Sequence, residues 1–167
     1  MPARSKVLSL VQDPLALEQQ VCFALAVASR TVISVYRPVL EPMGLTHPQY
    51  LVMLALWGSE PLSVTDLSRM LELDAGTLSR LLKRLEAAGP VRRDRDPADE
   101  RSLAVALTDQ GRGLRKEALK VPETILERLG MDLGELIDLH ARLTEVIAAA
   151  KQATTTAGGA GETGAPT

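Results

Sequence analysis

The sequence predicts a mainly α fold carrying one small β-hairpin, and three observations predict it. Hydrophobic residues make up 46% of the 167 residues but aromatics only 2%, so a core has to be built from Leu, Val, Ile, Ala and Met, which suits helices packed on helices. Helix-start signals recur: Thr46 with Gln49, Ser63 with Asp66 and Asp132 with Glu135 have capping-box spacing, and Asp74 and Thr108 precede further periodic runs. One stretch, Val91 to Leu107, places β-compatible residues on either side of a turn-rich Asp96-Pro97-Ala98-Asp99-Glu100.

In chain order, residues 1–12 read as a flexible arm. Asp13-Pro14 reads as an N-cap followed by proline at the first helical position, opening a helix to about Met43. Val21, Leu25, Ala28, Val32, Val35 and Val39 form one apolar stripe, with Cys22, Ala26, Ile33, Tyr36 and Leu40 beside it. A helix apolar on two flanks is buried on two sides, which in a small domain suggests a subunit interface. Pro38 should bend or fray its last turn, and Gly44 can end it. The second helix starts at the Thr46 box, with Leu45 and Tyr50 at hydrophobic-staple spacing, and stops at Gly58. Ser63 starts a short helix, Val64 to about Leu71, with Val64, Leu67 and Leu71 inward. After the Leu73-Asp74 corner, Asp74 caps a helix from Ala75 to Ala88. Its apolar side is Leu78, Leu81, Leu82 and Leu85, and Gly76, Thr77, Arg80, Lys83 and Arg84 lie opposite. Two short helices joined by a tight turn, the second basic on its free face, followed by a hairpin wing, predict a winged helix-turn-helix.

Thr108 caps a further helix to about Gly130, broken or kinked at Pro122. The last helix carries Leu133, Leu136, Ile137, His140, Leu143 and Ile147 on one flank. After Lys151 the Thr, Gly, Ala and Pro composition predicts a disordered tail, 152–167. The expected organisation is one regulator domain over 13–151. Its DNA-binding part is about 46–107, and N- and C-terminal dimerisation helices cover about 13–43 and 108–151.

The whole chain is at −2, but from Ala75 to Arg95 six basic residues (Arg80, Lys83, Arg84, Arg92, Arg93, Arg95) face two acids, Glu86 and Asp94, a local +4. That asymmetry is the footprint of a double-stranded DNA reader; the other reading is a solvated basic face. The N-terminal half of a recognition helix enters the major groove, so Thr77, Ser79 and Arg80 are the expected base-edge residues. Lys83, Arg84 and Arg93 are expected at phosphates. Arg101, at the wing tip, is placed for the minor groove or for an ion pair with Asp99. One recognition helix spans too little DNA, so a homodimer on a palindromic operator is expected. The alternative is that the outer helices close a monomeric core.

A single cysteine, Cys22, excludes an intrachain disulfide. Met1 to Leu10 lacks the apolar run of a signal peptide, and Leu51 to Trp57 is far short of the ~20 residues of a membrane span. The expected location is the cytoplasm, with no membrane partner. There Cys22 is either inert packing or a reactive thiol. No nucleophile–base motif, Gly-rich phosphate loop or metal-ligand spacing is present, and Cys22, His47 and His140 are scattered, so neither an enzyme nor a cofactor or metal is expected.

The stretches Gln20 to Leu25, Tyr36 to Pro38, Gly44 to Leu51, Leu56-Trp57, Leu73 to Leu78, Leu82 to Glu86, Asp99 to Arg101 and Leu107-Thr108 are similar to the MarR family. They resemble specifically its organic-hydroperoxide-sensing (OhrR) branch, over roughly residues 15 to 150. The Cys-Phe-Ala-Leu, Pro-Gln-Tyr-Leu and Leu-Asp-x-Gly-Thr-Leu stretches point to that branch. The resemblance implies a homodimeric repressor that releases its operator when organic hydroperoxide oxidises Cys22. With no second cysteine, the sulfenate would form a mixed disulfide with a low-molecular-weight thiol or be over-oxidised. Cys22 is expected two turns into its helix, too deep for the helix terminus to favour a thiolate, so hydrogen-bond donors must do so. Tyr36 matches one tyrosine the family supplies. Ala26 and His47 stand where relatives carry two others, and His47 would replace a donor or act as a cation. Ala75 and Arg80 replace a serine and a proline of the recognition helix, which points to a different operator. The competing expectation is a repressor released by a small lipophilic or aromatic ligand, with Cys22 as packing.

Overall fold

The computed structural model describes Asp13 and residues 15–96 and 98–158, so the expected arm over 1–12 lies outside the described residues. The fold is mainly helical with one small antiparallel sheet. It divides into two compact units, Met1–Pro122 and Glu123–Thr167.

The first unit opens differently from the expectation. Asp13 accepts the Leu15 N–H at 2.9 Å instead of capping a long helix. A 3-10 turn, Leu17–Gln19, follows. Gln20 is then extended (φ −79°, ψ 123°), and helix α1, Val21–Leu40, begins after it. Pro38 does not end α1; a 3-10 turn at Glu41–Met43 does, closed by Gly44 in the left-handed region at φ 68°. Helix α2, His47–Gly58, has the expected capping box in both directions: Thr46 Oγ1 accepts the Gln49 N–H and Gln49 Oε1 accepts the Thr46 N–H.

Strand β1 (Leu62–Ser63) leads into α3 (Val64–Leu71) and α4 (Ala75–Ala88), capped by Ser63 and Asp74 as the sequence predicts. Gly89 ends α4 at φ 107°. Strands β2 (Val91–Asp96) and β3 (Asp99–Leu107) form the wing. The sheet has three strands in the order β1-β3-β2, because Leu62 and Ser63 pair with Val105 and Ala104. Helix α5 (Asp109–Ala118) is capped by Thr108, and the expected long helix is two: α6 (Val121–Leu129) begins after a turn at Leu119-Lys120, one residue before Pro122.

The core of this unit lies where α2, α3, α4 and the sheet converge. Val52, Met53, Leu56, Leu67, Leu78, Leu82, Leu85 and Val105 are fully buried there. Gly111 is required at the seam: a Cβ would collide with the Pro90 carbonyl oxygen. Beside it Trp57 Nε1 donates to the Gly111 carbonyl at 2.9 Å. Glu60 ties three elements together, accepting the Leu107 N–H at 2.7 Å and Arg112 Nε at 3.0 Å.

The second unit contains Gly130 in the left-handed region (φ 63°) and the expected Asp132/Glu135 capping box. Helix α7 then runs Leu133–Gly158, seven residues beyond Lys151, where a disordered tail was expected. The Thr154 and Thr155 hydroxyls donate to the Lys151 carbonyl and that of Thr156 to the Gln152 carbonyl, so these residues add polar bonds along the helix. Residues 159–167 lie outside the described residues.

Candidate nucleic-acid interface and thiol site

Helix α4 is held by its start. Asp74 accepts the Thr77 N–H at 2.9 Å on one carboxylate oxygen and the Thr77 hydroxyl at 2.6 Å on the other. These bonds, the hydroxyl's first, hold the Asp74 carboxyl below its usual pKa. Thr77, expected at a base edge, is half-buried, and its Oγ1 also accepts from Arg80 Nη2 at 3.4 Å. Ser79, Arg80, Lys83 and Arg84 are all exposed. The basic face is therefore open to solvent and not packed on another helix.

Two of the six basic residues belong to the fold. Arg93, expected at a phosphate, is half-buried, and its Nε and Nη2 donate to Glu86 Oε2 at 2.9 and 2.6 Å. The Arg93 backbone N–H bonds the other oxygen of the same carboxylate, so this pair fastens the wing to α4. The Arg93 hydrogen bonds hold the Glu86 carboxyl below its usual pKa. Arg92 pairs with Asp94 at 2.8 Å. Both local acids are thus matched by these two arginines. The four remaining cations, Arg80, Lys83, Arg84 and Arg95, carry the +4 and have no carboxylate partner among the described residues. Arg95 was counted in the basic cluster but not singled out; its exposure on β2 is what marks it.

Arg101 lies at the distal end of the wing, beyond the last in-register pair Arg95↔Leu103. The hairpin closes at Asp96↔Asp99, and Arg101 lies in β3 within a register shift opposite the Arg95/Asp96 step. Such a bulge re-aims side chains. Ser102 Oγ donates to Asp96 at 3.2 Å and the Arg101 N–H to Asp99 at 3.0 Å, fixing the bulge. The expected Arg101–Asp99 alternative therefore exists only through the backbone N–H, and the guanidinium is left exposed.

The thiol and the two residues expected around it lie in two places. Tyr36 and His47 meet edge to face with ring centroids 5.1 Å apart, and the row continues through Tyr50 (6.2 Å from Tyr36) to Trp57. Burial raises the Tyr36 pKa, so the phenol keeps its proton as a donor, and burial lowers that of His47. Burial thereby favours the neutral His47 imidazole, the first of its two expected forms, over the cation. Cys22 lies fourteen residues from Tyr36 on the same helix, about 21 Å along the axis at 1.5 Å per residue. Within one chain they do not meet. Cys22 is the second residue of α1, not two turns inside it. It is exposed, and no side chain among the described residues bonds its sulfur. It therefore sits in the first turn, where N–H groups lack intrahelical acceptors. An open groove of about 470 Å³ flanks the other end of α1, lined by Arg30, Ile33, Ser34, Arg37 and His47 among others. Among the described residues no three His, Cys, Asp or Glu side chains gather to hold a metal.

A family model described as MarR family matches residues 45–103. The chain is 47% identical over 141 residues to the HTH-type transcriptional regulator TtmR of Methylorubrum extorquens (strain PA1), covering 78% of this chain and 72% of that protein. It is 42% identical over 138 residues to the organic hydroperoxide resistance transcriptional regulator of Bacillus subtilis (strain 168), covering 81% of this chain and 94% of that one. The chain belongs to the MarR family. Its fold agrees: reduced AbfR bound to DNA, a protein of Staphylococcus epidermidis, superposes with a TM-score of 0.73 at 33% identity, over 86% of this chain and 98% of that one. This MarR-family chain is a DNA-binding transcriptional regulator and not an enzyme.

Proposed function

We propose that this MarR-family chain is a homodimeric repressor that holds a palindromic operator while Cys22 is reduced and releases it when an organic hydroperoxide oxidises that thiol. The observation that carries the reading is the position of Cys22: an exposed thiol in the first turn of α1, on a helix whose apolar residues stay uncovered in the single chain. By length and composition Val21–Met43 is even apolar enough to cross a membrane. A second copy of α1, together with the helices after residue 108, would cover that surface as the dimerisation region, leaving about 46–107 to the DNA. The similarity to the hydroperoxide resistance regulator supports the signal.

The axial distance along α1 requires that any Tyr36 hydroxyl reaching Cys22 come from the other copy of the chain, with His47 beside it. The thiolate sulfur attacks one peroxide oxygen, the O–O bond breaks, and the alkoxide leaves to be protonated as the alcohol. The sulfenic acid then condenses with a low-molecular-weight thiol, giving a mixed disulfide and water. The adduct occupies interface volume, and the two α4 helices shift from operator spacing.

The apolar part of the open groove's lining, Ile33, Leu45 and Pro48 beside the His47 ring, favours a second reading, release by a small lipophilic or aromatic ligand with Cys22 as packing. One gel-shift series separates the two. Organic hydroperoxide plus a small thiol abolishes operator binding by the wild type and leaves Cys22→Ser bound. Binding that survives oxidation in the wild type, or ligand-induced release equal in Cys22→Ser, overturns the thiol reading.

A further inference from the structure

The first turn of α4 fixes the direction of a proton, and that direction has a consequence for which base the helix accepts. Asp74 is a carboxylate and has no hydrogen to give. Its 2.6 Å contact with Thr77 Oγ1 therefore commits the hydroxyl's only proton to Asp74. What remains on Thr77 Oγ1 is lone-pair density, to which Arg80 Nη2 already donates at 3.4 Å. The Asp74 Oδ1 bond to the Thr77 N–H anchors the same carboxylate to the helix, so it does not swing away to free the hydroxyl. The lowered Asp74 pKa, caused first by the Thr77 hydroxyl, agrees with a carboxylate that stays ionised.

Resting on the DNA-binding reading above, we propose that Asp74 is a positioning residue for sequence recognition. It makes Thr77 an acceptor-only reader, so Thr77 selects a base that presents an amino donor in the major groove, cytosine N4 or adenine N6. Arg80 has only donors and selects the complementary edge, guanine O6 and N7. The two side chains lie three residues apart on α4, about 4.5 Å along its axis. The amino-bearing base and the guanine therefore fall within about two base pairs of each other in each half-site.

The test is selection of bound duplexes from a randomised pool by the full-length protein, run on wild type, Thr77→Val and Asp74→Asn. Asparagine is as good an N-cap as aspartate, and its amide can donate to Thr77, freeing the hydroxyl proton. The wild type is expected to select adenine or cytosine at one position per half-site near a guanine. Thr77→Val flattens the preference at that position alone, by about fivefold for one lost hydrogen bond. Asp74→Asn admits guanine or thymine there while the Arg80 guanine stays. A preference unmoved by both variants overturns the proposal. So does a thymine retained by Thr77→Val, which would mean a methyl contact. If no sequence is enriched by the wild type, the DNA reading fails, and this inference with it. Circular dichroism melts of both variants confirm that altered selection is not lost folding.

Discussion

The helix-turn-helix with its wing and helix α1 are both rich in aliphatic residues, yet they treat them in opposite ways. In the first region Leu67, Leu78, Leu82, Leu85 and Val105 are all at most 1% exposed, and each helix start is closed by its own cap. In α1 Val21 is 68% and Ile33 40% exposed; only Leu40, at its end, is buried. Helix α7, described on its own, repeats the pattern, with Leu133 at 62% and Ile137 at 59%. The helix-turn-helix with its wing is thus complete in one chain, whereas α1 and α7 carry apolar surface that a solitary copy leaves in water.

Leu82→Ala removes a fully buried side chain from α4 and is expected to cost about 3 kcal/mol in urea unfolding. A loss well under 1 kcal/mol would mean that this region is not a closed core. Within the same region, Arg93→Ala and Lys83→Ala should diverge. Loss of the Arg93–Glu86 tie lowers stability by about 1 kcal/mol. Lys83→Ala leaves stability unchanged and reduces the salt dependence of operator binding by about one phosphate contact. Titrations of binding against salt, alongside urea melts, check both.

The legibility of each element follows the same division. The caps at Thr46, Ser63, Asp74, Thr108 and Asp132 were readable because a cap is a bond to a residue three positions on. What the sequence did not disclose depends on distant partners. Strand β1 exists because Leu62 and Ser63 find Val105 and Ala104. Arg93 reads as a free cation until Glu86, on the far side of the Gly89-Pro90 turn, engages it. The start of α1 misled for a local reason: Asp13 carries the right signal but binds Leu15, and extended Gln20 restarts the helix at Val21, which puts Cys22 in the first turn. The separation of Cys22 from Tyr36 could have been found by counting the residues between them along one helix.

The smallest expected effect concerns His47. Burial lowers its pKa in the folded chain, so folding favours the neutral imidazole. Its stability penalty is absent above the ordinary histidine pKa and grows as pH falls through that value toward the lower folded one. Thermal melts should show His47→Gln flattening that part of the acid limb without changing stability at neutral pH. An unchanged acid limb would place the imidazole in water.

Sedimentation equilibrium of the full chain at micromolar concentration tests most directly whether a second copy covers α1. A species of twice 17.9 kDa is expected, converted to a folded monomer by Ile33→Asp, since a charge on an interface flank opposes association but not the separate core. A wild-type species at 17.9 kDa, with α1 uncovered and the fold intact, would contradict it.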